Sequence, residues 1–324
     1  MKSRTKTCFS LLLGIILLVL FFLRTNPEKV WFHLKEVNWW WVLLGTFFNM
    51  ISVLLRALRW KIMLSPVAKC PLRKVIEATF IGYALSTLFP ARIGEVVRPL
   101  FLAGEVGFSR VASLSSALLE RVLDVVVLIV MVFIALHYLG PGCSSPLVER
   151  LRIGSVWGGI IIVSFLVFIF FLTFIRIREG ILKIVPSGVS RTFFENLFTS
   201  FSFLKPGFSF ATIILLGIAI WLFVALNAFC FFMAFDMDLD FPASLMVISL
   251  MGAGFLVPSP GGVGGVHKAV QIGLLEFYRI EINLASAYAL ILHAVSMIPL
   301  TIIGLIVIIA GGISPAKLLS LNKK

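Results

Sequence analysis

The chain has 324 residues, of which 60% are apolar and only 13% charged; 28 Lys and Arg face 15 Asp and Glu, for a formal net charge of +13. A soluble domain covers its surface with roughly 25% charged residues, so this composition excludes an ordinary water-soluble fold and points to an outer surface turned to lipid. The basic excess does not indicate nucleic acid either. The Lys and Arg residues stand in short stretches beside apolar runs, where they fix orientation and meet anionic headgroups, and none builds an aromatic-interleaved basic groove.

The first element is the apolar run 8–23, preceded by Lys2, Arg4 and Lys6. It has the outline of a signal peptide, but Arg24-Thr25-Asn26-Pro27 offers no small-residue cleavage site, so it reads as an uncleaved first span. Five further runs, 39–58, 111–139, 154–175, 209–235 and 284–311, also approach or exceed the length of about 20 residues that a crossing helix needs. Two others, 75–90 and 243–258, are too short and stop at prolines. Each is followed by a turn with Gly and Pro and then a second short segment, the pattern of a re-entrant hairpin or broken helix. The expectation is an all-α integral membrane protein of one domain over 1–324, with six spanning helices and two re-entrant or broken-helix hairpins.

Orientation follows from Lys and Arg placement. The N-terminus, the 56–74 region, the 176–205 connection and the tail are all rich in basic residues, whereas Asp236-Met237-Asp238-Leu239-Asp240 is acidic. Six spans and two hairpins put every rich segment, and both termini, on the cytoplasmic side, with Arg150 and Arg152 as the exception. Within the 176–205 connection, Phe194, Leu197, Phe198 and Phe201 repeat at helical spacing, consistent with a helix in the membrane interface or with a plain linker helix. The cysteines Cys8, Cys70, Cys143 and Cys230 are scattered and form no disulfide framework or zinc site.

The two interrupted segments share a spacing. Pro90, Gly94 and Arg98 in the first match Pro260, Gly264 and Lys268 in the second, with Gly262 inside the second turn. Around them the first half, about 39–139, and the second, about 209–311, run through the membrane in opposite senses. That is an inverted repeat, in which paired Gly/Pro-interrupted segments point to a substrate site near the midplane; the alternative is two ordinary loops.

Charges at membrane depth cost about 2.5–3.5 kcal/mol each on insertion scales and require a reason. Arg92, Glu95 and Arg98 recur every three residues after Pro90; Glu120, Arg121 and Asp124 lie in the 111–139 run; Arg56 and Arg59 end the 39–58 run beside Trp60. Together they carry two surplus positive charges, which suits an anionic phosphate headgroup held by Arg. Mutual salt bridges that merely permit insertion are the alternative, and Arg56 and Arg59 are expected to snorkel at the interface. His267 and His293 read as hydrogen-bonded to neighbours, and Pro299 as a kink in the last span. There is no G-x4-G-K-[ST], HExxH or GxSxG sequence, so no ATP hydrolysis, enzymatic activity or cofactor is expected.

Four motifs in order resemble the lysylphosphatidylglycerol synthase transmembrane region: Arg56-Ala57-Leu58-Arg59-Trp60; Gly82-Tyr83 leading to Leu88-Phe89-Pro90-Ala91-Arg92-Ile93-Gly94-Glu95-Val96-Val97-Arg98-Pro99; Leu119-Glu120-Arg121-Val122-Leu123-Asp124; and Pro258-Ser259-Pro260-Gly261-Gly262-Val263-Gly264. The resemblance covers nearly the whole chain. It implies a flippase-like domain, which in the multiple-peptide-resistance members translocates an aminoacylated phospholipid made by a separate soluble domain; that domain is expected to be absent here. One departure is His267, where the family often has an acidic residue. The resulting expectation is a translocase of the bacterial cytoplasmic membrane for an anionic or polyprenyl-linked lipid headgroup, with Arg92 and Arg98 holding the headgroup and Glu95, Glu120 and Asp124 pairing or carrying a proton. The rivals are a lipid-modifying enzyme and a scaffold for a separate lipid-modifying synthase or glycosyltransferase.

Overall fold

The structure is a computed structural model that describes residues 2–89, 92–139, 149–161, 164, 195 and 208–314. Helix α1 (Lys2–Phe22) leads into a short α2 (Pro27–Lys35), and the first half continues as α3 (Trp39–Leu64), α4 (Leu72–Leu88), α5 (Gly94–Val106) and α6 (Arg110–Leu139). The second half is α7 (Phe208–Ala234), α8 (Phe241–Gly254), a 3-10 turn Pro260–Gly262, α9 (Gly265–Tyr278) and α10 (Ile282–Ala310).

Local chemistry fixes most of these ends. The Asn26 side chain accepts from the backbone N–H groups of Glu28 and Lys29, with Pro27 at the first helical position of α2. Asn38 caps α3 through Trp40, Asp240 caps α8 through Ala243, and Glu281 caps α10 through Asn283 and Leu284. Asp240, counted from the sequence only as an acidic charge, therefore also starts a helix. α4 stops at Phe89, which takes an extended conformation before Pro90, as a residue preceding proline must. α10 runs continuously past Pro299.

Among the described residues four helices are long and apolar enough to cross a bilayer: Trp39–Leu64, Arg110–Leu139, Ser209–Ala234 and Ile282–Ala310. The six-span expectation is thus met for four runs. The first run is a helix that turns by 86° into α2, the two together passing as one bent span. The remaining run, 154–175, is helical over 154–161 and lies largely outside the described residues, as does the expected interfacial helix around 191–201. α3 exceeds its sequence estimate by six residues because Arg56, Arg59 and Trp60 stay inside the helix and are buried there.

The helices pack in a reciprocal pattern. α3 and α7 form the most extensive pair. Within the first half α4 packs on α5 and α5 on α6; within the second, α8 packs on α9 and α9 on α10. Across the halves, α4 lies against α10 and α8 against α6, so each half's last span supports the other half's broken helix. Small residues permit these crossings, as they do where dispersion rather than water drives association. A Cβ on Gly304 of α10 would run into the backbone of Phe80 on α4, and one on Gly45 of α3 would lie 2.9 Å from the Phe231 ring of α7. The core, with Phe231, Phe232, Met246, Val270 and Tyr288 near its centre, is joined by a second cluster around Trp60, Ile81 and Leu102. Large apolar side chains such as Leu118, Leu215, Ile306 and Ile309 face outward, as a lipid-facing surface requires.

Candidate functional site

The charged residues singled out from the sequence converge where α3, α5 and α6 meet. Trp60, Arg59 and Arg56 stand between about 6 and 12 Å inside the C-terminal end of α3 at Leu64, at about 1.5 Å per residue. Glu120 and Asp124 sit one turn apart on the buried face of α6, 0% and 3% exposed. Arg56 Nη1 and Arg59 Nη2 both reach Asp124 at 2.7 Å, and Arg59 Nη2 also lies 3.4 Å from Glu120. Snorkelling, expected for these two arginines, is therefore corrected: their partners are inside, and Arg59 is only 1% exposed. Gly217 of α7 leaves the room, since a Cβ there would stand 3.3 Å from Arg59 Nη1.

Arg98, on the second turn of α5, pairs through Nη2 with Glu120 and stacks over Trp60 at 4.2 Å. Trp60 in turn donates to Ser116 Oγ at 3.1 Å. Glu95 turns to Arg92 at 2.6 Å and to Arg121 Nε at 3.6 Å, leaving Arg98 to Glu120. Arg92 lies before α5 begins, with a positive φ of 50°, so the three-residue spacing does not make one helix face. Arg121 completes the network, lying 3.5 Å from both Glu120 and Asp124. Two atoms in the middle of it, Arg59 Nε and Arg98 Nε, are buried without a hydrogen-bond partner.

A cavity of about 480 Å³ opens beside this network, between α4, α5 and α6. Its lining combines charged Arg92, Glu95, Arg98 and Arg121, hydroxyl-bearing Thr79, Tyr83, Ser86 and Ser115, and apolar Val96, Val111, Leu114 and Leu118. Val96 and Leu118 are 51% and 61% exposed, so the cavity is bordered by residues of the outer surface. The N-terminus of α5 points into it, with Gly94 pressed so closely on Gly82 and Ser86 of α4 that a Cβ would overlap their backbone.

The second break contributes differently. Gly261, Gly262 and Gly264 all have positive φ, 58°, 75° and 82°, which only glycine adopts freely. A chain of hydrogen bonds closes this turn. The Gly264 N–H donates to His267 Nδ1 at 3.3 Å, His267 Nε2 lies 2.9 Å from His293 Nδ1, and His293 Nε2 lies 2.8 Å from the Gly261 carbonyl. Because the first bond requires His267 Nδ1 to accept, neutral rings allow one arrangement, with both imidazoles protonated at Nε2. Lys268 is not brought to the arginine cluster; its ammonium donates to Gln271 at 2.7 Å, and Gln271 binds Ser286 and the Phe21 carbonyl. Pro260, Gly262 and Gly264 shape the turn rather than supply side chains to the cluster, and Pro90 lies outside the described residues.

The two breaks nevertheless touch. Arg92 stacks over Phe255 at 4.8 Å, and Gly261 lies against Thr87. Sequence reasoning missed Trp221 of α7, which donates to Asp124 at 3.2 Å and carries Arg56 over its ring at 5.0 Å; a tryptophan in an apolar run gives no signal of that role. Among the described residues no group of three or more His, Cys, Asp or Glu is placed to hold a metal.

The chain is similar, at 23% identity over 316 residues covering 91% of its length and 90% of the relative's, to a UPF0104 membrane protein of Methanothermobacter thermautotrophicus. Residues 8–304, a stretch that includes both breaks and all of the charged cluster, match the family described as the lysylphosphatidylglycerol synthase TM region, and the chain belongs to that family.

Proposed function

We propose that the protein is a translocase for an anionic phospholipid or lipid-linked intermediate, working without ATP hydrolysis and without chemistry on the lipid. The observation that carries this reading is the cavity at the arginine cluster, lined between α4, α5 and α6 by both charged and apolar side chains and bordered by the exposed Val96 and Leu118. A headgroup can lie among Arg92, Arg98 and Arg121 while its chains stay over Leu114 and Leu118. The two halves act as an inverted repeat, each with a broken helix, and the reciprocal packing of α4 on α10 and α8 on α6 supports that relation. Orientation rests on charge placement: Lys61, Lys69, Arg73 and Lys74 put the α3–α4 connection at the cytoplasmic face, while Trp39, Trp40 and Trp41 begin α3 at the opposite interface.

The full chain reconstituted in vesicles with a headgroup-labelled anionic lipid, in the absence of ATP, should move label between leaflets faster than protein-free vesicles. Glu95→Gln and Arg98→Lys should slow that movement about tenfold or more, since each disturbs a charged contact in the cavity. The second reading, a membrane scaffold or accessory subunit for a synthase or glycosyltransferase, has one observation in its favour: every carboxylate of the cluster already has an arginine partner. Label movement no faster than in empty vesicles, from protein that remains folded, would select that reading.

A further inference from the structure

The charge of the cluster specifies the ligand more narrowly than "anionic". Five guanidinium groups, Arg56, Arg59, Arg92, Arg98 and Arg121, are joined by ion pairs to three carboxylates, Glu95, Glu120 and Asp124. Every member of this network contacts another, so it behaves as one charged body with two positive charges in excess. Arg56, Arg59, Arg98, Glu120 and Asp124 are all at least nine-tenths covered and hold one of the two excess charges; Arg92, Glu95 and Arg121, which line the cavity and are about a third exposed, hold the other. Uncompensated charge in a low-dielectric interior is strongly unfavourable, and arginine cannot relieve it by losing its proton. The Nε atoms of Arg59 and Arg98 add two buried donors without acceptors, and Arg98 lines the cavity. The hydroxyls of Tyr83 and Ser86 also line it, whereas those of Thr79 and Ser115 donate to the Val75 and Val111 carbonyls of their own helices.

Building on the translocase reading, we propose that the cavity takes a terminal phosphate monoester carried on a lipid chain, a dianion that cancels the excess, in preference to a phosphodiester. A monoester has two negative charges above its second pKa of about 6 and three oxygens for the donors; a diester has one charge and two free oxygens and leaves the cluster positive. The apolar lining of the cavity, with Val96, Leu114 and Leu118, distinguishes a lipid-borne phosphate from the free ion.

Binding to the purified full-length protein in a neutral detergent tests this with three probes at pH 8: dodecyl phosphate, dodecyl methyl phosphate and inorganic phosphate. The first two share one chain and differ by one charge. Dodecyl phosphate should bind at least about tenfold more tightly than its methyl ester, and inorganic phosphate far more weakly than either. At pH 5 the dianion has taken up one proton to become a monoanion, and its advantage should disappear while the methyl ester serves as control for the protein groups at the cavity: Tyr83 of α4, Arg92, Glu95 and Arg98 at α5, and Arg121 of α6, with Glu120 paired to Arg98 behind them. Arg92→Gln, a change at a partly exposed side chain that removes one positive charge, should bring the two lipid probes toward parity. Equal affinity for the two lipid probes in the unchanged protein would overturn the monoester assignment and leave the lipid site standing. Binding of neither probe would overturn the translocase reading itself. Inorganic phosphate binding as tightly as dodecyl phosphate would show a site for the free ion and overturn the lipid-borne part of the proposal.

Discussion

Glu120 is the buried carboxylate shared by Arg98, Arg59 and Arg121. Removing one side of a buried ion pair typically costs about 3–5 kcal/mol because charge is left uncompensated. Glu120→Gln should therefore lower the thermal stability of the detergent-solubilised protein, and adding Arg98→Ala should recover much of that loss. Failure of the double variant to recover stability would show that Arg98 acts through its stacking on Trp60 instead. The same reasoning makes Arg98→Lys and Glu95→Gln better tests of transport than Arg98→Ala. Cys70, in the connection after α3, is a contrasting case. It is buried, and burial pushes its thiol above the usual range, with Lys61 acting in the opposite sense. The thiolate is the reactive form, so maleimide labelling of Cys70 should be slow at neutral pH and rise with alkalinity beyond the range of an exposed cysteine. Sidedness is better read from Ser65→Cys and Glu36→Cys in a chain whose native cysteines are serine; both positions are exposed, at opposite ends of the α2–α3 region. Ser65→Cys should react with an impermeant maleimide only after lysis, and Glu36→Cys in intact cells; the reverse pattern would invert the assigned topology. At this scale the sequence made the charged residues legible, because ionisable side chains in apolar runs stand out. It did not make their partners legible: spacing relates residues on one helix, whereas Arg98 to Glu120 and Arg56 to Trp221 are contacts between helices.

At the scale of elements, the two breaks were legible because proline and glycine cannot continue an apolar helix without consequence. What each glycine does was not. Gly94 is needed for close approach to Gly82 and Ser86, whereas Gly264 needs both its positive φ and space, since a Cβ would stand 2.6 Å from Leu17 of α1. Gly14 lies on the other side of that same contact, 3.3 Å from Ser259 by the position of a Cβ, and so is no neutral comparison although it belongs to a plain helix. Gly154, with nothing within 4 Å of a Cβ, is one. Gly94→Val and Gly264→Val should each abolish label movement or folding, and Gly154→Ala should change neither; equal tolerance of all three would mean that the breaks can relax without harm. The histidine chain ties the second break to α9 and α10. His293→Phe removes both of its bonds and leaves the Gly261 carbonyl and His267 Nε2 without partners, a loss of about 1–3 kcal/mol for each buried group. Hydrogen exchange at residues 261–265 should quicken in that variant while exchange in α3 and α7 stays unchanged. Quickening throughout the chain would instead mean that the turn is part of the common fold rather than a local strap.

At the scale of the whole molecule, the all-α membrane architecture followed from hydropathy, but the exchange of last spans between the halves did not, since no local pattern records which helix lies beside α4. That exchange has a consequence for how the protein is made. α4 leaves the ribosome early, yet much of the surface against which it packs belongs to α10, synthesised after all the other described helices. Until α10 arrives, Phe80 has Val53 of α3 beside it but not Leu300, and the α4 backbone that Gly304 will cover faces lipid or insertion machinery. α6 similarly waits for α8. Neither half can therefore mature alone, and the nascent chain must hold a broken helix open for nearly its whole synthesis. Expressed separately, residues 1–190 and 191–324, divided within the 176–205 connection, should each be degraded in the membrane, whereas co-expression should rescue both as a complex that copurifies. A chain stopped before α10 should be cleared by membrane proteases even though every residue of the arginine cluster is already in place.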